Sequence, residues 1–238
     1  MLLRKSLLTP FAFILLLLAC GKAPQEEQLA PHGPDEVLSL IQAGNERFHA
    51  FHAVHPDQTP ERLKELVQGQ HPWAVVIGCS DSRVVPELIF DQGLGDLFTV
   101  RTAGNVVGEY ELASVEYAVE HLKAPLVIVL GHTSCGAIEA FIAEPEEPCH
   151  GHMRELMNYL ASEEEEQAMV ADGTPFTLED ATLANIAHGV HAVERLFDEI
   201  RAGGTVVDAK VVGALYHVED GRVEWLKVEP LLVEGRGR

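Results

Sequence analysis

Two apolar runs, Trp73-Ala74-Val75-Val76-Ile77-Gly78 and Leu126-Val127-Ile128-Val129-Leu130-Gly131, are each followed at once by residues that bind metals. Charge-free runs rich in Val and Ile read as strands buried on both faces, the pattern of a parallel sheet covered by helices. After the first comes Cys79-Ser80-Asp81-Ser82-Arg83, and after the second His132-Thr133-Ser134-Cys135-Gly136. Open α/β sheets bind their ligands at the carboxyl ends of strands, so these two loops are expected to meet. Cys79, His132 and Cys135, with Asp81 available as a fourth donor, offer sulfur, nitrogen and oxygen. That is the set Zn2+ takes in tetrahedral geometry at about 2.0–2.3 Å.

From Trp73 onward, short apolar runs alternate with helical stretches. Strands are expected up to Gly78 and at 97–101 and 126–130, with helices at 112–122 and 136–143. A long amphipathic helix at 178–201 is closed by Gly203-Gly204, and strands at 206–218 and 223–228 flank the turn Glu219-Asp220-Gly221. This order implies right-handed crossovers and an α/β fold: a mostly parallel central sheet with helices on both faces. Residues 145–176, with Cys149-His150-Gly151-His152 and the glutamates at 163–166, read as a helical insertion. His188 and His191 read as surface or interface positions on the late helix. An N-terminal helical arm precedes the sheet, with Asp35 as the cap of a helix reaching about Phe51. A second helix at 60–69 places Leu63, Leu66 and Val67 on one face.

The first residues belong to a different kind of segment. Met1-Leu2-Leu3-Arg4-Lys5 is a short basic start, and residues 7–19 are apolar but shorter than the roughly 17–25 residues needed to cross a bilayer. Residues 1–19 therefore read as a signal peptide. Its end, Leu17-Leu18-Ala19-Cys20-Gly21, looks like the lipobox of bacterial lipoproteins, which makes Cys20 the acylated N-terminus of the mature chain. The other reading is an ordinary secretory signal with an incidental cysteine. On the lipobox reading the protein is anchored in the cell envelope, and in a Gram-negative host Gly21 rather than Asp favours the outer membrane. Residues 20–34 form a tether, 35–233 one catalytic domain and 234–238 a loose tail. The net charge is −20, and loss of Arg4 and Lys5 with the signal takes it to −22. Such a surface speaks against nucleic acid, whose phosphates reward Lys and Arg.

Five blocks of this chain resemble the β-class carbonic anhydrases, in that family's order and near its spacing. They are Cys79 to Arg83, Arg101-Thr102-Ala103-Gly104-Asn105, Val115-Glu116-Tyr117-Ala118-Val119, Gly131 to Gly136 and Val212-Gly213-Ala214-Leu215-Tyr216. The likeness extends from about Gly44-Asn45-Glu46-Arg47-Phe48 to Glu224-Trp225-Leu226. It implies a hydro-lyase that converts carbon dioxide and water to bicarbonate and a proton by attack of zinc-bound hydroxide. It also implies N-terminal helices that reach a neighbouring subunit, and hence a homodimer or a dimer of dimers.

By the same resemblance Asp81 either binds zinc and closes the site or pairs with Arg83 and leaves the position to water. Gln70, Phe98 and Tyr117 match residues that line the substrate pocket, although periodicity alone leaves Phe98 and Tyr117 equally suited to the core. Members locked by bicarbonate carry Trp three positions before the first cysteine, where this chain has Val76. Arg101 and Asn105 are held as structural. Relatives with the same ligands hydrolyse carbonyl sulfide or carbon disulfide, which is the nearest enzymatic alternative; a non-catalytic zinc-binding lipoprotein is the other. A lipobox at Cys20 predicts protein in the membrane fraction with a lipid mass increment, converted by Cys20→Ala to an unacylated precursor. Wild-type protein that is wholly soluble with an unmodified Cys20 would rule the anchor out.

Overall fold

The computed structural model describes residues 33–143, 150–171 and 175–228. The signal segment, Cys20, nearly all of the tether, Cys149 and the 234–238 tail lie outside them. Five strands, β1 (Ala74–Cys79), β2 (Leu97–Thr102), β3 (Leu126–His132), β4 (Lys210–Tyr216) and β5 (Val223–Leu226), form one sheet in the order β2-β1-β3-β4-β5. The first four are parallel, and β5 turns back antiparallel to β4. The last parallel strand starts later than the expected residue 206. Its ladder opens at Lys210, whose N–H donates to the carbonyl of Pro125, and Pro125 itself has no N–H with which to extend the pairing.

Every residue of β1 and β3 is buried, as their unbroken apolar character requires. Alternation across the pleat sends Val75, Ile77, Val127 and Val129 to one face, against α4 (Glu109–Glu120) and α8 (Leu178–Ala202). Ala74, Val76, Leu126, Ile128 and Leu130 go to the other face, against α1 (Pro34–His49) and α3 (Pro86–Ile89). Full burial of each such Val, Ile or Leu contributes about 1.5–3 kcal/mol. The helix α8 starts at a capping box, with the Asp180 N–H donating to Thr177 Oγ1 and the Thr177 N–H to Asp180 Oδ2. It lies close on β3 because Gly131 and Gly189 leave room. A Cβ on Gly131 would stand 2.5 Å from Ile186, and one on Gly189 would stand 2.8 Å from Val129.

At the amino end, α1 begins at Pro34 with Gly33 as the cap, so Asp35 is not the capping residue. Proline fits the first helical position, where no N–H is needed, and Asp35 lies in the first turn, paired with Lys210 at 2.9 Å. The helix stops at His49, because Phe51 adopts a left-handed φ of 58°. α2 (Pro60–Leu66) is capped by Thr59, and its expected apolar face is only partly covered: Leu66 packs beside Gly95, while Leu63 and Val67 are exposed.

After α5 (Gly136–Ile142), the insertion carries α6 (His152–Leu160) and α7 (Glu164–Ala171). His188 and His191 are not surface residues. Their Nδ1 atoms lie 2.7 and 2.6 Å from the two oxygens of Glu165, which fastens α7 to α8.

Asn45, inside α1, ties the first helix to the turn before β5, 176–178 residues away. Its buried amide donates to the carbonyls of Ile89 and Gly221 at 3.1 and 2.9 Å and accepts from the Val223 N–H at 2.9 Å. Asn45→Leu would strand three backbone groups at a cost of about 1–3 kcal/mol each. A urea titration should show a loss of several kcal/mol; a change within experimental error would mean that water replaces the amide.

Candidate metal centre and active site

The chain leaves β1 toward β2 on one side and returns to β3 on the other. Strands that diverge in this way leave a crevice beyond their carboxyl ends, the usual binding position in an open α/β sheet. Cys79 is the last residue of β1, His132 the last of β3, and Cys135 caps α5 three residues later. All three are buried, and one donor atom from each lies within 4.8 Å of the others.

The His132 ring is oriented for a metal. Its Nδ1 lies 2.9 Å from the Thr133 carbonyl, which can only accept, so Nδ1 carries the proton and Nε2 presents a bare lone pair. That Nε2 is buried and has no hydrogen-bond partner among the described residues. A zinc ion at the centre of the three donors would satisfy it, and the sulfur and imidazole donors suit that ion.

Cys79 Sγ receives the backbone N–H groups of Gly104 at 3.3 Å and Asp81 at 3.4 Å. Gly104 delivers its amide from a left-handed φ of 68° and is held by Asn185 of α8, whose Nδ2 donates to its carbonyl at 2.7 Å. A hydrogen bond from Cys135 and these two amides hold the Cys79 thiol below its usual range against the effect of burial. The same hydrogen bond and burial push Cys135 upward. A dication needs both sulfurs as thiolates, so its binding here would release protons.

Asp81 does not join the three donors and is bound to Arg83 instead. Arg83 donates to it from its backbone N–H and Nε, both at 2.9 Å to Oδ1, and from a terminal nitrogen at 2.7 Å to Oδ2. This guanidinium holds the carboxyl well below the usual carboxylate range. The same terminal nitrogen reaches the Ser134 carbonyl at 3.1 Å, tying the two ligand loops together. Arg101 supports the first loop from beneath, with donors to the carbonyls of Cys79 at 3.0 Å and Asp81 at 2.8 Å. Behind the sulfurs, Val106, Ile138, Leu160 and Ala181 form an apolar wall, so the insertion contributes to the site through Leu160 of α6.

The three pocket candidates do not join this cluster within one chain. Phe98 pairs with Val75, four residues before Cys79 and so about 13 Å back along the strand at 3.3 Å per residue. Tyr117 packs beside Phe98, ring centroids 6.2 Å apart, and Gln70 is exposed in the loop before β1, at the opposite end of that strand from Cys79. Sequence reasoning missed the roles of Gly104, Asn185 and Thr133. They meet the ligands through backbone atoms or across long separations, where residue type carries little signal.

A sequence profile described as carbonic anhydrase matches residues 74–223. The carbonic anhydrase of Mycolicibacterium smegmatis is 42% identical over 206 residues, covering 80% of this chain and 92% of that protein. Among solved structures, the β-carbonic anhydrase CafA of Aspergillus fumigatus superposes with a TM-score of 0.59 at 27% identity, over 81% of this chain and 91% of that one. The Coccomyxa β-carbonic anhydrase gives 0.61 at 26%, over 79% and 86%. With the strand order, the converging cysteines and histidine and these likenesses together, this chain belongs to the carbonic anhydrase family, in its β class.

Proposed function

We propose that this protein is a zinc-dependent enzyme that interconverts carbon dioxide and water with bicarbonate and a proton. The observation that carries the reading is His132 Nε2, without a hydrogen-bond partner among the described residues and grouped with two buried sulfurs, beside an Asp81 that Arg83 holds. Cys79, His132 and Cys135 would hold the ion. Bound zinc supplies hydroxide at neutral pH by lowering the pKa of water from 15.7 to about 7.

The chain's own groups do the rest. Arg83 keeps Asp81 ionised and out of the ligand set, so that its carboxylate serves as an acceptor that can orient the attacking water through one hydrogen. The backbone N–H groups of Asp81 and Gly104 steady the Cys79 thiolate. The wall around Ile138 and Leu160 suits a small nonpolar substrate. Gln70, Phe98 and Tyr117 would line this pocket if a second copy brought them there. The exposed apolar residues Phe51, Val54, Leu63 and Val67 give such a copy a surface to bury. The acylated Cys20 would tether the assembly to the bilayer of the cell envelope.

Purified protein should carry about one zinc per chain by elemental analysis, and Cys79→Ser or Cys135→Ser should lose both zinc and activity. Full zinc retention would remove that cysteine from the ligand set. In stopped-flow hydration of carbon dioxide, Arg83→Ala frees Asp81 to take the fourth position, so turnover should fall at least tenfold, on the order of 1.4 kcal/mol, while zinc stays bound. Normal turnover in that variant would refute the gate. A wild-type protein that is silent toward carbon dioxide but hydrolyses carbon disulfide would move the assignment to the sulfur substrates, and silence toward both would leave a zinc-binding protein without catalysis.

A further inference from the structure

We propose that Glu219, acting through Thr133, is a positioning residue for His132, so that the turn between β4 and β5 sets how firmly the metal is held. The inference rests on the zinc reading of the site and adds to it a residue 87 positions away from the histidine in the chain.

Thr133 uses every polar atom it has. Its N–H donates to the Tyr216 carbonyl at 2.9 Å, and its own carbonyl accepts from His132 Nδ1 at 2.9 Å. Its hydroxyl donates to Glu219 Oε2 at 2.9 Å and accepts from the Val218 N–H at 3.1 Å. Three of these four contacts come from residues 216–219, and the fourth is the bond that fixes the tautomer and tilt of the His132 ring. A residue held at both its N–H and its hydroxyl has little freedom to turn its carbonyl, and a ring bonded to that carbonyl is kept with its Nε2 toward the sulfurs. Partners that hold the outer nitrogen of a metal-binding histidine typically change metal affinity by 10–100-fold when lost.

Glu219 is an exposed acid with no packing role, yet its carboxylate is held below the usual range by its own backbone N–H and by the Thr133 hydroxyl. The turn that presents it is tied to α1 at two carbonyls. Gly221 takes a left-handed φ of 81°, its carbonyl accepts from Asn45, and the Asp220 carbonyl meets His49 Nδ1 at 2.9 Å. Helix α1 therefore anchors the turn, the turn grips Thr133, and Thr133 aims His132. This gives Asn45 a consequence at the metal centre as well as in stability.

The test measures zinc transfer from the loaded full-length protein to an excess of chelator, with the visible absorption of the cobalt-substituted protein as a second readout. Glu219→Ala and Thr133→Val should release zinc about tenfold faster than wild type and shift the cobalt bands, whereas Glu219→Gln and Thr133→Ser, which keep an acceptor and a hydroxyl, should stay within about twofold. Wild-type release rates and unchanged cobalt spectra in Glu219→Ala and Thr133→Val would overturn the proposal, as would conservative variants that fail to rescue. If Thr133→Val does not fold, Glu219→Ala, altered only at an exposed side chain, still decides. A wild-type protein that takes up no zinc gives a distinguishable result: it removes the metal reading itself.

Discussion

Because β1 and β3 run side by side in parallel, with Gly78 opposite Leu130, Cys79 and His132 leave the sheet at the same edge and on adjacent strands. The pairing is secured by two runs of fully buried aliphatic side chains, and a slip of one residue would exchange their two faces. The site therefore depends on core packing before it depends on any polar contact. The chain also diverges here, to β2 on one side and to β4 on the other, so the crevice beyond the strand ends is open to both ligand loops.

Two left-handed residues finish the work that the sheet begins. Gly104 turns its N–H onto Cys79 Sγ, and Ser134, at a φ of 54°, lets the second loop carry Cys135 back beside His132. Charge is then apportioned by neighbours. Arg83 commits Asp81 to a charge-assisted pair, and the N–H groups of Asp81 and Gly104 favour the thiolate of Cys79. The Asp81–Arg83 pair is partly exposed, so solvent screening leaves it little weight in stability. Its consequence lies in where the carboxylate is held.

Much of this was legible in the sequence, for identifiable reasons. β1 and β3 announce themselves because strands buried on both faces tolerate no charge, and Cys79, His132 and Cys135 because few residue types bind zinc. Helix starts were less legible: Gly33-Pro34 and Asp35 compete for one cap, and the absent N–H of proline decides. His188 and His191 appeared to face outward because the acid that covers them, Glu165, comes from an insertion with no regular pattern. The grip of Glu219 on Thr133 spans 86 residues, and neither residue type signals it. Gln70, Phe98 and Tyr117 were readable only by resemblance, and one chain leaves them at the far end of the sheet from Cys79.

The most direct measurement is a crystal structure of the zinc-loaded protein at neutral pH, with an anomalous difference map recorded at the zinc edge. The arrangement described here requires one peak held by Cys79 Sγ, His132 Nε2 and Cys135 Sγ, with Asp81 still on Arg83 and the fourth position open to solvent. A peak ligated by Asp81 with Arg83 released, or one lying outside the three donors, would contradict it.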